Sequence, residues 1–394
     1  MSPNVAIGIG TGLNGRQAAI QAGQQALDRL AFGQQPALGI VFVSEQYNFE
    51  EVASGLAALF GSLPRWGFST VAPLNTEGEL PRAVLVLLLA GKELKPQVQW
   101  WPAPDQGKEN SQISRRFYDS FFREADQPGS LLFCGDGVMV NGQDLARALE
   151  QLSIPAAGGL ASGDYHTGKT YQLGNNHYGT GSLSAVRLND HFCIGSACAH
   201  GWEDIGIYFQ VTRQRGAWLH TLDGRPVAEV YARYFRYPAR DWAYPPLTDL
   251  VRLYPLGIET GRPEHPLALR SALHVEVDGS FRFNAPVDEG SMAHLLVGSK
   301  QLCLERAREA ARGAVAATGG ARPWAALVLV DLAWRYLFEN HMEAVMAAVQ
   351  EVVGDIPLAG AYTLGQIYRN SPPGEVIYEN QALMVSVIGE LTGE

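Results

Sequence analysis

The chain has 394 residues, 46% of them hydrophobic and 18% charged, which supports a sizeable buried core and excludes a disordered protein. Its 30 Lys and Arg against 40 Asp and Glu give a formal net charge of −10, so the basic footprint that phosphate neutralisation requires is missing and nucleic-acid binding is excluded. The four cysteines, Cys134, Cys193, Cys198 and Cys303, contain no C-x-x-C pair; this excludes a disulfide framework and a thiolate zinc site and suits a reducing cytoplasm.

From the N-terminus, residues 1–10 lack the basic start and apolar stretch of a signal peptide, and the expected location is cytoplasmic. Residues 5–9 read as a short strand and residues 16–30 as an Ala/Gln-rich helix. Between them, Gly10-Thr11-Gly12-Leu13-Asn14-Gly15 matches the dinucleotide fingerprint G-x-G-x-x-G. The acidic residue expected at the end of the next strand would be Glu45, too far along, so a Gly-rich helix start ranks above a nicotinamide or flavin site.

A unit of strand, helix and strand then occurs three times, over residues 38–70, 131–162 and 327–363. Each copy closes on Pro-x-x-Gly: Pro64 to Gly67, Pro155 to Gly158, Pro357 to Gly360. In the first, the apolar strand 38–43 precedes Asn48, a plausible N-cap, and Val52, Leu56, Leu59 and Phe60 at helical spacing. In the second, residues 131–134 precede Leu145, Ala148, Leu149 and Leu152. Val43 and Cys134 stand equally far before their Pro, so these two copies are expected to align without a gap. The third, with Met342, Val345, Met346 and Val349, carries one or two extra helical turns. Strand-like runs follow the copies at 83–89, 182–188 and 382–388; residues 294–297 are expected to lead into the third copy as residues 5–9 lead into the first. The longest apolar run, 83–90, is too short to span a bilayer, and no membrane insertion is expected.

Between the second and third copies, residues 205–211 read as a strand, 222–226 as a turn and 227–235 as a helix. A Pro-rich, aromatic stretch follows, then a hairpin about Asp278-Gly279 between alternating apolar residues. The expected fold is mixed α/β, with two domains of helices packed on mixed sheets: residues 1–220 with two repeat units and 221–394 with the third.

Pro fixes its own φ and marks the start of each new strand. The Gly three residues on suits either a close backbone approach by a ligand or a tight packing contact. The hydroxyls beyond (Ser69, Thr70, Ser162, Thr363) either hold a ligand or cap a turn. Trp334, Arg335 and Tyr336 follow the third strand; Arg335 suits a carboxylate or planar ligand, or else an ion pair with Glu339 along a helix. No nucleophile elbow, P-loop or H-E-x-x-H helix occurs, and the histidines lack metal-ligand spacing.

In order along the chain, Gly67-Phe68-Ser69-Thr70, Gly158-Gly159-Leu160-Ala161-Ser162-Gly163-Asp164, Val211-Thr212, Leu222-Asp223-Gly224-Arg225-Pro226 with Tyr231, and Pro357-Leu358-Ala359-Gly360-Ala361-Tyr362-Thr363-Leu364-Gly365-Gln366 resemble the FIST family, an N-domain followed by a C-domain over nearly the whole chain. The resemblance implies a bacterial sensory module of signal transduction that binds small molecules, amino acids among them, and acts on a separate signalling protein. No cofactor is expected from it as a rule. Some members bind haem and report nitric oxide to a kinase or cyclic-di-nucleotide enzyme, and His166, His177 and His341 are the axial-ligand candidates for that second reading. A third reading is an enzyme using Arg335, Glu339, Asp164 and the nearby hydroxyls, for which no nucleophile–base pair is recognisable. The preferred reading is non-enzymatic, with no catalytic or metal-binding residue. Its expected ligand site is Ser69, Thr70, Gly158, Gly159, Ser162, Asp164, Trp334, Arg335, Tyr362, Thr363 and Gln366. Two departures from the family's pattern bear on ligand charge: Gln366 stands where a Glu is common, and Asp331-Leu332-Ala333-Trp334-Arg335 lacks the Cys often found before the Arg.

Overall fold

A computed structural model describes residues 4–102, 128–163, 168–262, 265–283, 285–370 and 374–391. In the first copy, β1 (Val5–Gly10), α1 (Gly15–Arg29), β2 (Pro36–Ser44), α2 (Phe49–Phe60) and β3 (Arg65–Thr70) are followed by the short β4 (Pro73–Asn75) and β5 (Gly78–Glu79) and then by β6 (Val84–Ala90). The second comprises β7 (Gln97–Trp101), β8 (Gly129–Asp136), α3 (Gly142–Leu149) and β9 (Ala156–Ala161), with β10 (Gln172–Gly174), β11 (His177–Gly179) and β12 (Leu183–Asn189) after them. Both α2 and α3 start where an Asn side chain accepts two backbone N–H groups, Asn48 and Asn141 respectively.

The third copy begins earlier than its sequence suggests. β13 (Phe192–Ala199) is its leading strand, and a whole sheet follows before the chain returns as α5 (Lys300–Ala317). That inserted sheet contains β14 (Trp202–Arg215), β15 (Trp218–Leu222), β16 (Arg225–Pro226), β17 (Leu256–Arg262), β18 (His265–Arg270), β19 (Ala272–Val275), β20 (Phe281–Phe283) and β21 (Met292–Gly298), with α4 (Val227–Phe235) between β16 and β17. Residues 294–297 therefore belong to β21, which pairs with β14 and β17 and not with the third repeat. Adjacency to α5 in sequence was a poor guide because the insertion falls between a strand and its helix. The hairpin about Asp278-Gly279 forms as expected, joining β19 to β20. β22 (Arg322–Asp331), the short α6 (Leu332–Leu337), α7 (Glu343–Val353), β23 (Leu358–Arg369), β24 (Ile377–Glu379) and β25 (Leu383–Glu390) complete the chain. The extra turns of the third copy are α6, whose first turn is capped by the Asp331 side chain.

The three copies share one strand order. β1-β6-β2-β3, β7-β12-β8-β9 and β13-β25-β22-β23 each have two antiparallel pairs followed by one parallel pair, the parallel partner being the strand that follows Pro. Each module also pairs with the other two. β9 runs antiparallel to β23, β4 adds to β23, and β10 adds to β3. The first module's sheet lays Ile40, Phe42, Leu85 and Leu87 against Leu132, Val186, Leu327 and Met384 of the joined second and third sheet, all buried. The helices cover the outer faces: Ala18, Ala19, Ala22 and Leu56 of α1 and α2 on one side, Ala307, Ala311, Met346 and Val349 of α5 and α7 on the other. The result is helices, sheet, sheet, helices in layers, a mixed α/β protein in which each buried Leu or Phe contributes roughly 1.5–3 kcal/mol.

The repeated glycine has a structural reason. Gly67, Gly158 and Gly360 face Val41, Phe133 and Val328 across the parallel pairs. A Cβ there would lie 2.0, 2.0 and 2.6 Å from the facing carbonyl oxygen. Only Gly allows this approach. The same pairs correct the expected alignment: Val43 matches Gly135, not Cys134, since Val43 pairs with Ser69 and Gly135 with Leu160. The link from β2 to β3 is thus one residue longer than that from β8 to β9, and the ungapped alignment would have turned β8 onto its wrong face.

Candidate functional site

The strand ends after each Pro-x-x-Gly converge where the modules meet. Thr70 Oγ1 accepts the Tyr362 N–H at 2.9 Å and lies 3.3 Å from Ser162 Oγ. Ser162 Oγ donates to the Tyr362 carbonyl at 2.7 Å and accepts the Val71 N–H at 3.1 Å. Ser69 Oγ donates to the Ser162 carbonyl at 2.9 Å and accepts the Tyr171 N–H at 2.8 Å. Gln366 Nε2 donates to Thr363 Oγ1 at 2.7 Å, and Gln366 pairs with Gly159 across β23 and β9. Ser69, Thr70, Ser162, Thr363 and Gln366 are all buried. Their hydroxyls bind backbone groups of a neighbouring module or, for Thr363, the Val330 carbonyl at 3.4 Å, which ties the modules together.

Arg335 joins this junction from its rim. Its Nε and Nη2 contact both oxygens of Glu79, at 2.8–3.1 Å, and the Tyr362 hydroxyl donates to Glu79 Oε2 at 3.0 Å. Burial, reinforced by the Glu79 charge, holds the Tyr362 phenol well above its usual range. The partner of Arg335 is thus a first-module carboxylate and not Glu339, which pairs with Lys300 at 2.8 Å. Trp334 is buried and donates to the Gln381 carbonyl. Gly158 is the close-approach glycine of β9. His177 is exposed on β11 with its ring stacked on Trp100, and His341 is exposed beside Glu343. Asp164 and His166 lie outside the described residues.

The G-x-G-x-x-G segment is a helix start. Asn14 caps α1, Gly15 N–H is taken by Glu51 Oε2 at 2.9 Å, and a Cβ at Gly10 would sit 1.9 Å from the Ala18 carbonyl oxygen. A carboxylate of the chain itself thus occupies the end of α1 where a phosphate would bind.

Clefts on the described surface include one beside this junction and two away from it. One of about 310 Å³ includes Ser69 and lies beside Tyr47, Phe49, Lys169 and Tyr171. The other two lie along the seam between the inserted sheet and the third module, one of them also walled by α3 of the second module, and sequence reasoning missed both. The larger, about 500 Å³, has a wall of Trp202, Leu267, Leu269, Leu296 and Leu302, with His200, Arg306, Tyr368 and Glu379 among its polar groups. Its neighbour, about 420 Å³, takes in Arg147, Glu150, Arg270, Tyr378 and again Glu379. β24 places Glu379 between the two, because β24 hydrogen-bonds to β23 and its carboxyl takes the Leu269 N–H from β18.

Glu379 is the most perturbed carboxyl along this seam. Burial pushes its pKa up to about 7, against the opposing pull of Arg270 and the Leu269 N–H. Its Oε2 is shut off from solvent and has no hydrogen-bond partner among the described residues. The Arg270 guanidinium makes its own contacts with the Tyr378 ring, 5.1 Å away, and with the Leu269 carbonyl, to which it donates. Burial, then the nearby Arg306, lowers His200 to about 4, so this imidazole is neutral at physiological pH. The larger cleft thus sets a neutral imidazole and a carboxyl oxygen without a described partner beside an apolar wall. In sequence, the one hint was the polar run Glu379-Asn380-Gln381 just ahead of the apolar strand β25.

Among known families, the FIST N domain profile matches residues 37–225 and the FIST C domain profile residues 228–369. No curated protein matches the chain. Among solved structures, the chain is similar to cyanuric acid hydrolase from A. caulinodans, at 9% identity with 99% of each chain covered and a TM-score of 0.33. It is also similar to phosphoribosylformylglycinamidine synthase II from Thermotoga maritima, at 12% identity over 99% of this chain and 73% of that one, with a TM-score of 0.25.

Proposed function

The chain belongs to the FIST family, whose domains are sensory modules of signalling proteins, and from that membership we propose that it is an intracellular, non-enzymatic sensor of a small metabolite. The ligand lies in the larger cleft between the inserted sheet and the third module. The observation that carries this reading is the Glu379 carboxyl, left with an unpartnered, solvent-shielded oxygen beside an apolar wall. An unsatisfied buried acceptor is unfavourable by about 1–3 kcal/mol, and a ligand donor admitted to it by a small shift of the seam removes that penalty.

Occupation of the cleft bridges β18 and β21 of the inserted sheet to β24 and α5 of the third module. The ligand's differential affinity for the closed seam is then what a separate signalling protein reads. Thermal unfolding of the full chain against a metabolite panel tests the proposal. A ligand at about 100 times its Kd should stabilise the fold by about 2.7 kcal/mol, a rise of several degrees at most. A panel spanning amines, amino acids, carboxylates and nucleosides that leaves Tm unchanged would refute it.

A further inference from the structure

We propose that the seam cleft takes an organic cation, a primary amine on an apolar body without an adjacent carboxylate, whose ammonium group hydrogen-bonds to Glu379. The inference rests on the cleft being the sensor's ligand site and specifies what it accepts.

The charges of the cleft decide the sign of the ligand. Four carboxylates, those of Glu203, Asp204, Glu309 and Glu379, border it against the single guanidinium of Arg306. Arg306 is already bound to Glu309. Arg270, whose charge favours the Glu379 carboxylate, is also engaged with the Tyr378 ring and the Leu269 carbonyl. His200 adds no charge, since burial holds it neutral. Of the four carboxylates, Asp204 pairs with His294 Nδ1 at 2.8 Å, whereas Glu379 has no cation within ion-pair distance among the described residues. The neighbouring cleft repeats the bias: Glu150, Glu259, Asp288, Glu375 and Glu379 against Arg147 and Arg270. An anion entering either side meets a field of its own sign, and the carboxylate of a zwitterion must compete with Glu309 for the Arg306 guanidinium.

The remaining surface decides the body of the ligand. Trp202, Leu267, Leu269, Leu296 and Leu302 make a wall that rewards an aryl or branched alkyl group. A bare metal ion fits poorly: among the described residues no group of three or more His, Cys, Asp or Glu side chains is placed to hold one.

Isothermal titration calorimetry of the full chain at pH 8, where Glu379 is ionised, tests the assignment with three probes of one shape: 2-phenylethylamine, L-phenylalanine and 3-phenylpropionate. The amine should bind, the zwitterion at least ~10-fold more weakly, and the anion not at all. Glu379→Gln should weaken the amine ~10-fold or more with its circular dichroism unchanged. The ranking of the three probes on the unmodified chain stands even where that variant fails to fold. Equal or tighter binding of L-phenylalanine or 3-phenylpropionate overturns the cation assignment and leaves the sensor reading intact. So does a folded Glu379→Gln variant with unchanged amine affinity, or a metabolite panel that raises Tm only with anions. A panel without any shift refutes the sensor reading itself.

Discussion

At the scale of single residues, the telling contrast lies between polar groups that are satisfied and those that are not. Ser69, Thr70 and Ser162 are buried, and each has found partners across a module boundary. Glu379 lies at the seam with one oxygen unpaired, which gives it a measurable signature even without ligand. Its folded pKa of about 7 stands above the ordinary 4.5, so folding favours the protonated form. The stability it contributes is complete below the ordinary pKa and is lost as pH rises through 7, a change of roughly 3 kcal/mol. His200 works in the opposite sense: with its pKa depressed to about 4, its contribution is complete above the ordinary 6.5 and is lost as pH falls. A Glu379→Gln variant keeps His200 and so isolates the carboxyl. Urea unfolding at pH 5 and pH 8 should show the variant gaining on the parent protein by about 1–3 kcal/mol over that interval. Parallel stability curves would mean that Glu379 titrates normally.

At the scale of elements, much of the repeat was legible because its punctuation is steric. Pro64, Pro155 and Pro357 each precede the first residue of a strand, and Asn48 caps the helix it was expected to cap. What eluded sequence reading were quantities that no local rule sets. The one-residue difference between the β2–β3 and β8–β9 links is hidden because a helix with its turns absorbs an extra residue without altering the apolar pattern. The sequence leaves Arg335 either to a ligand or to Glu339 along its own helix, yet Glu79 reaches it from the strand β5 of another module. The larger seam cleft is built from β13, β14, β18, β21, β23, β24 and α5, segments whose proximity only the fold supplies. The glycines, by contrast, make a prediction at this scale. Gly158→Ala drives a methyl group to 2.0 Å from the Phe133 carbonyl oxygen, and Gly360→Ala to 2.6 Å from that of Val328. Because backbone must move in both, destabilisation of roughly 3 kcal/mol or more is expected, larger for Gly158 than for Gly360. Equilibrium urea unfolding gives the order, and a neutral Gly158→Ala would show that the parallel pair β8–β9 can open without loss.

At the scale of the whole molecule, the three modules close on one another while the inserted sheet leaves and returns at one neck. Ser299 N–H donates to the Gly201 carbonyl at 2.9 Å, and Trp202 pairs with Gly298, so the chain enters and exits the insert through hydrogen-bonded neighbours. None of the pairings that join the modules, β9 to β23, β4 to β23 or β10 to β3, uses an inserted strand. The strand pairing that joins the three modules is therefore independent of the insert. The insert also supplies Leu267, Leu269 and Leu296, the apolar wall facing Glu379, and its Leu269, Leu273 and Leu296 are buried against the core of the third module. Replacing residues 202–298 by a short Gly linker should leave a chain with strand-rich circular dichroism and a cooperative thermal transition. Its Tm should fall, because uncovering several leucines removes roughly 1.5–3 kcal/mol apiece. The same chain should lose all ligand-induced stabilisation, since Glu379 would face water and its unpaired oxygen would be hydrated. Failure to fold would make the insert part of the folding unit, and a ligand shift that survives the deletion would move the site to the cleft beside Ser69, which contains no inserted residue.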